Sequence, residues 1–257
     1  MERKNVFVVG CNGKMGRIVC KLIKASSDLA PRAGLDSDLQ GEDVTSNTWC
    51  LYCTCVSADC LNGTDVIIDF SHPDATMSIL PFAIKLRIPM VIATTGFDSE
   101  QEQRIEEAAA VIPIFKSANM GLCTKRFIEV VKYAARVFLA PYEISIHEIH
   151  HSAKKDAPSG TAKMLFDAVN EGRDGTLVYH FDSNDKKGAN EVWVSSERVG
   201  SFRGEHIVTM AGANDVLQLR HSIADRTVFA EGALEAARYI MQQTEPRIYT
   251  MDDLFNE

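Results

Sequence analysis

Short apolar runs alternate with helix-like stretches over the first half of the chain. Val6–Val9 predicts a strand, and Lys14–Ala25 places Ile18, Val19, Leu22 and Ile23 on one helical face. Val66–Phe70 has the pattern of a buried strand, and Pro73 inside Ser71-His72-Pro73-Asp74 opens a helix. Pro89–Ala93 predicts another strand, Glu100–Ala110 a helix rich in Glu, Gln and Ala, and Val111–Phe115 a closing strand. Successive strands separated by helices need crossover connections, so the pattern predicts a mostly parallel sheet covered on both faces.

The pattern changes after Asn119. A helix with apolar Phe127, Val130, Val131, Ala134 and Val137 leads into Tyr142–Ile149, a Pro/Gly/Ser loop and a helix ending near Glu171. Strand-and-turn patterning then covers Leu177–Phe181, Glu191–Val199, His206–Met210 and Val216–His221, with a turn at Ala211-Gly212-Ala213-Asn214. These runs predict an antiparallel or mixed sheet with one open face. A last helix, Phe229–Met241, is expected to return to the first domain. The boundaries that follow are 1–121 with 227–257 for the first domain, and 122–226 for the second.

Composition narrows the class. The chain has 257 residues, 46% of them hydrophobic and 24% charged, which fits a globular protein and excludes a fibrous or disordered one. A net charge of -8 provides no footprint for nucleic acid and would be repelled by anionic lipid. No apolar run approaches the roughly 18 residues of a membrane span. Met1-Glu2-Arg3-Lys4 runs into Val6–Val9 and Gly10 with no cleavage site, so no signal peptide is expected. The seven cysteines, four of them within Cys50–Cys60, are read as reduced thiols of a cytoplasmic protein. A metal in that cluster is set aside, because strand alternation over Tyr52–Val56 would make Cys53 and Cys55 an ordinary small apolar pair. No metal site is assigned anywhere.

Two segments carry candidate chemistry. Gly10-Cys11-Asn12-Gly13-Lys14-Met15-Gly16 joins the first strand to the first helix. Its glycines allow a tight turn and bring backbone N–H groups to a pyrophosphate at the positive end of the helix. Asp36, 20 residues after Gly16, is placed to accept from adenosine ribose hydroxyls. Ser37 and Asp38 follow it with no arginine for a 2′-phosphate, and Lys14 is the nearest cation, so NADH is favoured and NADPH tolerated.

The second segment is Glu148-Ile149-His150-His151-Ser152-Ala153-Lys154-Lys155-Asp156-Ala157-Pro158-Ser159-Gly160-Thr161-Ala162. It sets two imidazoles and two ammonium groups before a helix start at which Ser159, Gly160 and Thr161 offer N–H groups and a hydroxyl. That chemistry suits an anionic substrate and a proton donor. His147-Glu148-Ile149-His150-His151 also fits the zinc-protease pattern His-Glu-x-x-His, which requires a helix. Alternation through Ile144–Ile149 predicts a strand instead, in which four residues span roughly 13 Å and cannot share one zinc at about 2.1 Å per ligand.

The residues of this second segment reproduce every fixed position of Glu-x-His-His-x-x-Lys-x-Asp-Ala-Pro-Ser-Gly-Thr-Ala, and the chain resembles the bacterial dihydrodipicolinate reductases. Asp69-Phe70-Ser71, Thr94-Thr95-Gly96-Phe97, Ala118-Asn119, Arg203-Gly204-Glu205-His206 and the His221…Arg226 pair stand in that family's order. The resemblance implies an α/β fold: a Rossmann-like dinucleotide-binding domain completed by the C-terminal helix, plus a mixed-sheet α+β domain that binds substrate and forms a homotetramer. It implies NADH- or NADPH-dependent reduction of the cyclic dicarboxylate made by dihydrodipicolinate synthase, in lysine and diaminopimelate biosynthesis. Lys154 would supply the proton and His150 would be a second acid/base residue, while His151, Lys154, Ser159, Gly160 and Thr161 would hold the carboxylates. Gly10, Cys11, Asn12, Gly13, Lys14, Met15, Asp36, Ala93, Thr94, Thr95, Ser117, Ala118, Asn119 and Met120 would line the nucleotide path. The chain departs from the family pattern at Met120–Lys125, at His72 and at Ser37, the last two being positions where arginine is common. Two other readings are another oxidoreductase of this fold acting on an amino acid or imine, and a nucleotide-binding protein without catalysis.

Overall fold

A computed structural model of the chain describes residues 2–36, 51–53, 56–173, 178–180 and 191–255. Ser37, Asp38, Cys50 and Cys55, which enter the cofactor and thiol readings above, lie outside the described residues, as do Leu177 and Phe181 at the ends of one expected strand. The chain divides into two compact units, Met1–Gly121 with Thr227–Glu257, and Leu122–Arg226.

The first unit is a seven-stranded, all-parallel sheet. Its strands are β1 (Lys4–Val9), β2 (Leu29–Leu35), β3 (Leu51–Cys53), β4 (Val66–Asp69), β5 (Met90–Ile92), β6 (Ile114–Lys116) and β12 (Ile248–Tyr249), in the order β12-β6-β5-β4-β1-β2-β3. Val6–Val9 and Val66–Ile68 are all buried, as continuous apolar runs must be when both faces are covered. The helices are α1 (Lys14–Ala25), α2 (Ala58–Leu61), α3 (Pro73–Leu86), α4 (Ser99–Ala109), α7 (Thr227–Ile240) and α8 (Met251–Phe255). Helix α1 buries Val19, Cys20 and Ile23 and packs beside α7, so the C-terminal helix belongs to this unit. The chain moves outward from β1 to β2 and β3 on one side and to β4, β5 and β6 on the other. That reversal leaves a crevice at the carboxyl ends of β1 and β4, where open parallel sheets bind ligands.

Two details differ from the expectations above. The strand expected at Val111–Phe115 begins only at Ile114, because the N–H groups of Val111 and Ile112 both bond back to the Ala108 carbonyl and extend the end of α4 as a turn. The elements α2, β12 and α8 were not foreseen. Two residues after Pro246 show no periodicity, and it is pairing with β6 that makes Ile248–Tyr249 a strand.

The second unit is a five-stranded mixed sheet, β11-β10-β7-β9-β8, under two helices, α5 (Leu122–Val137) and α6 (Gly160–Gly172). Its strands are β7 (Glu143–His150), β8 (Val178–His180), β9 (Glu191–Arg198), β10 (Glu205–Ala211) and β11 (Val216–Ser222). Strand β7 is antiparallel to β10 and parallel to β9. Its buried positions alternate, with Ile144, Ile146, Glu148 and His150 on one face. Register sets what meets there. Ile146 lies between Val208 and Val194, whereas one step on Glu148 lies between His206 and Ser196, and His150 is paired with Arg198. The covered face is therefore apolar beneath the helices and turns polar at the end of β7, where the chain leaves for the start of α6.

Candidate functional site

In the first unit, a cavity of about 1400 Å³ opens at the strand-order reversal. Its wall includes Gly10, Gly13, Lys14, Met15, Asp36, Ala93, Thr94 and Thr95. The turn is too tight for side chains at its glycines. Gly10 has φ +74, and a Cβ on Gly16 would lie 1.9 Å from the Gly10 carbonyl oxygen. Helix α1 starts at Gly13 with no side-chain cap and no acidic residue in its first turn, so its leading N–H groups and positive dipole end face the cavity side of the loop. Asp36 Oδ2 accepts from the Asn12 N–H at 2.8 Å, which fixes the acid at the end of β2 against the loop.

The other expected nucleotide residues, Cys11, Asn12 and Ser117–Met120, are not among those lining this cavity. Cys11 is buried, with its thiol so close to Gly34 that a Cβ there would approach Sγ to 2.6 Å. Asn12 meets Asp36 through its backbone. Ser117–Met120 follow the end of β6 in a local turn, in which Ser117 Oγ donates to the Asn119 carbonyl and Asn119 Oδ1 accepts from the Gly121 N–H. Ala75, Ser78 and Phe82 of α3 do line the cavity and were not anticipated, since their helical spacing reads equally as a core face.

Asp69, at the end of β4, organises the same wall. It is wholly buried and accepts from Ser71 N–H at 3.0 Å, Thr76 Oγ1 at 2.5 Å and Thr94 Oγ1 at 2.9 Å. Burial pushes its pKa above the usual carboxylate value, against the opposing pull of those hydroxyls. Thr94 also accepts from the Ser71 N–H at 2.9 Å, so one buried carboxylate sets both loops.

In the second unit, the candidate substrate residues gather at the polar end of β7. Ser159 caps α6, its Oγ accepting from the Ala162 N–H at 3.2 Å. Gly160 and Thr161 occupy the first turn, which bears no acidic residue, and nothing lies within 4 Å of where a Gly160 Cβ would be. The helix start therefore presents N–H groups and open space together, a fit for a carboxylate. Lys154 Nζ, 20% exposed, donates to both oxygens of Asp156 at 2.7 Å. His151 is half-buried and Lys155 exposed.

Glu148 lies at the centre and is wholly buried. Its Oε1 accepts from Ser159 N–H at 3.0 Å, Ser196 Oγ at 2.6 Å and Arg198 Nη2 at 2.9 Å. Its Oε2 lies 3.5 Å from both His150 Nδ1 and His206 Nε2. Burial pushes the Glu148 pKa up, but contacts from His206, Ser159, Ser196 and Arg198 prevail and hold it well below the carboxylate range. Burial, against the attraction of Glu148 and aided by His206, Lys154 and Arg198, lowers His150 to about 4, so its imidazole is neutral at physiological pH. Arg198 also donates to the Asp156 carbonyl at 2.5 Å, tying the Lys154 loop to the strand. The same Glu148, His150 and His206 ligand atoms lie within 4.8 Å of one another, close enough to hold a cation, although the Arg198 guanidinium already neutralises that carboxylate. His147 points to the other face of β7, with Nδ1 2.8 Å from Ser195 Oγ, and the protease motif is strand, as its alternation predicts.

The comparisons concur along the whole length. Residues 4–120 match the family model for the N-terminus of dihydrodipicolinate reductase, and residues 125–255 match the one for its C-terminus. A 4-hydroxy-tetrahydrodipicolinate reductase of Caldanaerobacter subterraneus subsp. tengcongensis is 41% identical over 254 residues, covering 97% of each chain. One of Clostridium novyi is 34% identical over 258 residues, again covering 97% of each. A dipicolinate-bound dihydrodipicolinate reductase from Paenisporosarcina sp. TG-14 shares the fold with a TM-score of 0.77 at 21% identity, covering 97% of this chain and 98% of that one.

Proposed function

The chain belongs to the dihydrodipicolinate reductase family, and from that premise we propose that it reduces 4-hydroxy-tetrahydrodipicolinate to tetrahydrodipicolinate with a reduced pyridine nucleotide, in lysine and diaminopimelate biosynthesis. The observation that carries this reading is the polar end of β7, where Lys154, neutral His150 and the N-terminus of α6 converge. A dicarboxylate is held there by the N–H groups of Gly160 and Thr161 and the Thr161 hydroxyl, with Lys154 supplying positive charge and His151 a hydrogen bond. Buried Ser159, its N–H on Glu148 and its hydroxyl capping the helix, sets the position of that turn. Lys154 donates the proton to the ring and is recharged from solvent, to which a fifth of its side chain is open. His150, neutral and buried, acts as a hydrogen-bond partner to the ring rather than as a cation.

The first unit fits a dinucleotide. The glycine cradle that a Cβ would fill, the start of α1 and the 1400 Å³ cavity accommodate a pyrophosphate with an adenosine beside Asp36. When bound, the nicotinamide supplies the hydride. Asp36 receives the ribose hydroxyls and disfavours a 2′-phosphate by charge, while Lys14 on the same wall offsets part of that repulsion. We therefore rank NADH first and NADPH as accepted. Ser117–Met120 remain assigned to the nicotinamide side.

Reading the assembly as a homotetramer built through the second unit is supported by its edge strand β11, whose Val216 is 62% exposed. Sedimentation at micromolar concentration tests it. A cytoplasmic location rests on the acidic composition and on Cys11, Cys20, Cys60 and Cys123, which are not joined in disulfides. Among the described residues no helix is long and apolar enough to cross a membrane.

The function itself is tested by coupling the protein to a dihydrodipicolinate synthase fed with pyruvate and aspartate semialdehyde, and following oxidation of NADH and NADPH in separate reactions. Substrate-dependent oxidation is expected with both, faster with NADH. Nucleotide binding without turnover would favour the non-catalytic reading, and turnover only with an amino acid or another imine would favour the other oxidoreductase.

A further inference from the structure

The sheet register makes Glu148 the cross-strand neighbour of His206 on β10 and of Ser196 on β9, with His150 two residues further on the same face. The two oxygens of this buried carboxylate are used unequally. Oε1 takes three donors, Ser159 N–H, Ser196 Oγ and Arg198 Nη2. Oε2 has no donor within hydrogen-bonding distance and faces two imidazole nitrogens, His150 Nδ1 and His206 Nε2, each 3.5 Å away. An anionic oxygen at that distance repels the lone pair of a neutral imidazole nitrogen and attracts its N–H, so it selects which nitrogen carries the proton.

We propose that Glu148 is the positioning residue of this site: it fixes His150 as the Nδ1–H tautomer and His206 as the Nε2–H tautomer, while the same carboxylate anchors the start of α6 through the Ser159 N–H. The inference rests on the reductase reading and deepens it. With its proton on Nδ1, His150 turns the lone pair of Nε2 outward as an acceptor. That nitrogen borders Gly204, where a Cβ would stand 3.1 Å from it, so a residue with no side chain keeps the acceptor uncrowded. His150 then takes a hydrogen bond from a substrate N–H or O–H and does not give one. His206, protonated on Nε2, has Ser159 Oγ 3.1 Å away and can donate to it, which holds the cap in place from the other side. Both arms of the substrate site, the imidazole and the helix start, thus depend on one carboxylate that touches no ligand itself.

The other charged groups around His150 do not make this choice. Lys154 and Arg198 are cations, and they disfavour protonation of the ring as a whole without offering an acceptor to either nitrogen. Oε2 and the two imidazoles could gather a divalent cation, but the Arg198 guanidinium on Oε1 already neutralises the carboxylate and the Ser159 hydroxyl already meets the His206 nitrogen a cation would need.

The test is long-range ¹H–¹⁵N correlation on the ¹⁵N-histidine-labelled full chain at neutral pH without substrate, where the two nitrogens of each tautomer have distinct shifts. His150→Gln and His206→Gln assign the two spectra. The wild-type protein is expected to show His150 as Nδ1–H and His206 as Nε2–H. His150 found as Nε2–H, or as a mixture, overturns the proposal without any variant. Glu148→Gln turns the acceptor into an amide, and His150 is expected to move towards Nε2–H. With that change kcat/KM should fall at least about tenfold, since removing the carboxylate behind an active-site imidazole costs up to about 10⁴ where the tautomer is set this way. NADH affinity, a property of the first unit, should stay within about twofold. An unchanged His150 tautomer in folded Glu148→Gln, or full kcat/KM with a changed tautomer, would also overturn it. The tautomer is read without turnover, so its failure is separate from failure of the reductase reading, which the coupled assay decides.

Discussion

Lys154 Nζ lies 2.7 Å from both carboxylate oxygens of Asp156, two residues away. The ammonium proposed to give the proton is thus already held by a side-chain carboxylate, and Lys154 in turn holds the Asp156 pKa below its usual value. Asp156 is exposed, so the pair orients the lysine more than it stabilises the fold. Lys154→Ala is expected to lower turnover by about 10² or more, the usual size of a lost general acid. The NADH dissociation constant, measured by fluorescence titration, should not change. Turnover within a few-fold of wild type would remove Lys154 from the proton step.

Asp36 is expected to control cofactor choice. Its carboxylate is fixed by the Asn12 N–H on the cavity wall, where it meets ribose hydroxyls well and a phosphate badly. Asp36→Ala should weaken NADH binding and leave NADPH binding equal or stronger, so the ratio of the two kcat/KM values shifts towards NADPH by about tenfold, about 1.4 kcal/mol. A ratio that does not move would place the ribose contact elsewhere.

Much of this was legible before any coordinates. Helix α1 was readable to the residue, because Ile18, Val19, Leu22 and Ile23 recur with its period and the glycine loop marks its start. The glycine loop, Asp36 and the segment from Glu148 to Thr161 are local in sequence, and local patterns carry their chemistry with them. The partners of Glu148 are not local. Ser196 is 48 residues away and Arg198 50, and only the register of β9 and β10 against β7 brings them beside it. Register is decided by packing of the apolar rows at Ile146, Val194 and Val208, which any of several alignments of alternating strands would have matched equally well on paper. Glu148 was read as one fixed position of a motif, and its burial beneath both histidines became visible only in three dimensions. The same holds for Asp69, whose hydroxyl partner Thr94 lies 25 residues ahead.

Gly16 should tolerate no side chain. A Cβ there would meet the Gly10 carbonyl oxygen at 1.9 Å and the Cys11 Cα at 2.7 Å, both backbone atoms that cannot turn aside. Gly16→Ala is expected to cost at least about 2 kcal/mol through overpacking, visible as a fall in Tm of about 4 °C or more. Because the displaced atoms form the pyrophosphate loop, NADH affinity should fall as well. A variant of wild-type Tm and affinity would mean that the loop has room the structure does not show.

Acid stability provides the last test, and its sign follows from His150. Burial lowers this imidazole from its ordinary 6.5 to about 4, and burial also lowers His221. Between those two values the unfolded chain binds a proton that the folded protein refuses, so folding stability rises with pH across that window. The contribution is fully present above pH 6.5 and is lost progressively as pH falls from 6.5 to 4, the loss reaching about 2 kcal/mol for His150 alone by pH 5. The carboxylates held low by their partners, such as Glu148 and Glu205, contribute in the same direction only below about pH 4.5, where unfolded carboxyls begin to protonate. Urea unfolding at pH 7.5, 6, 5.5 and 5 should therefore show a decline that begins above the carboxylate range. His150→Gln, which binds no proton in either state, should flatten most of it. A wild-type profile that stays level from pH 7.5 to 5 would show that His150 titrates as an ordinary histidine and is not held neutral at the end of β7.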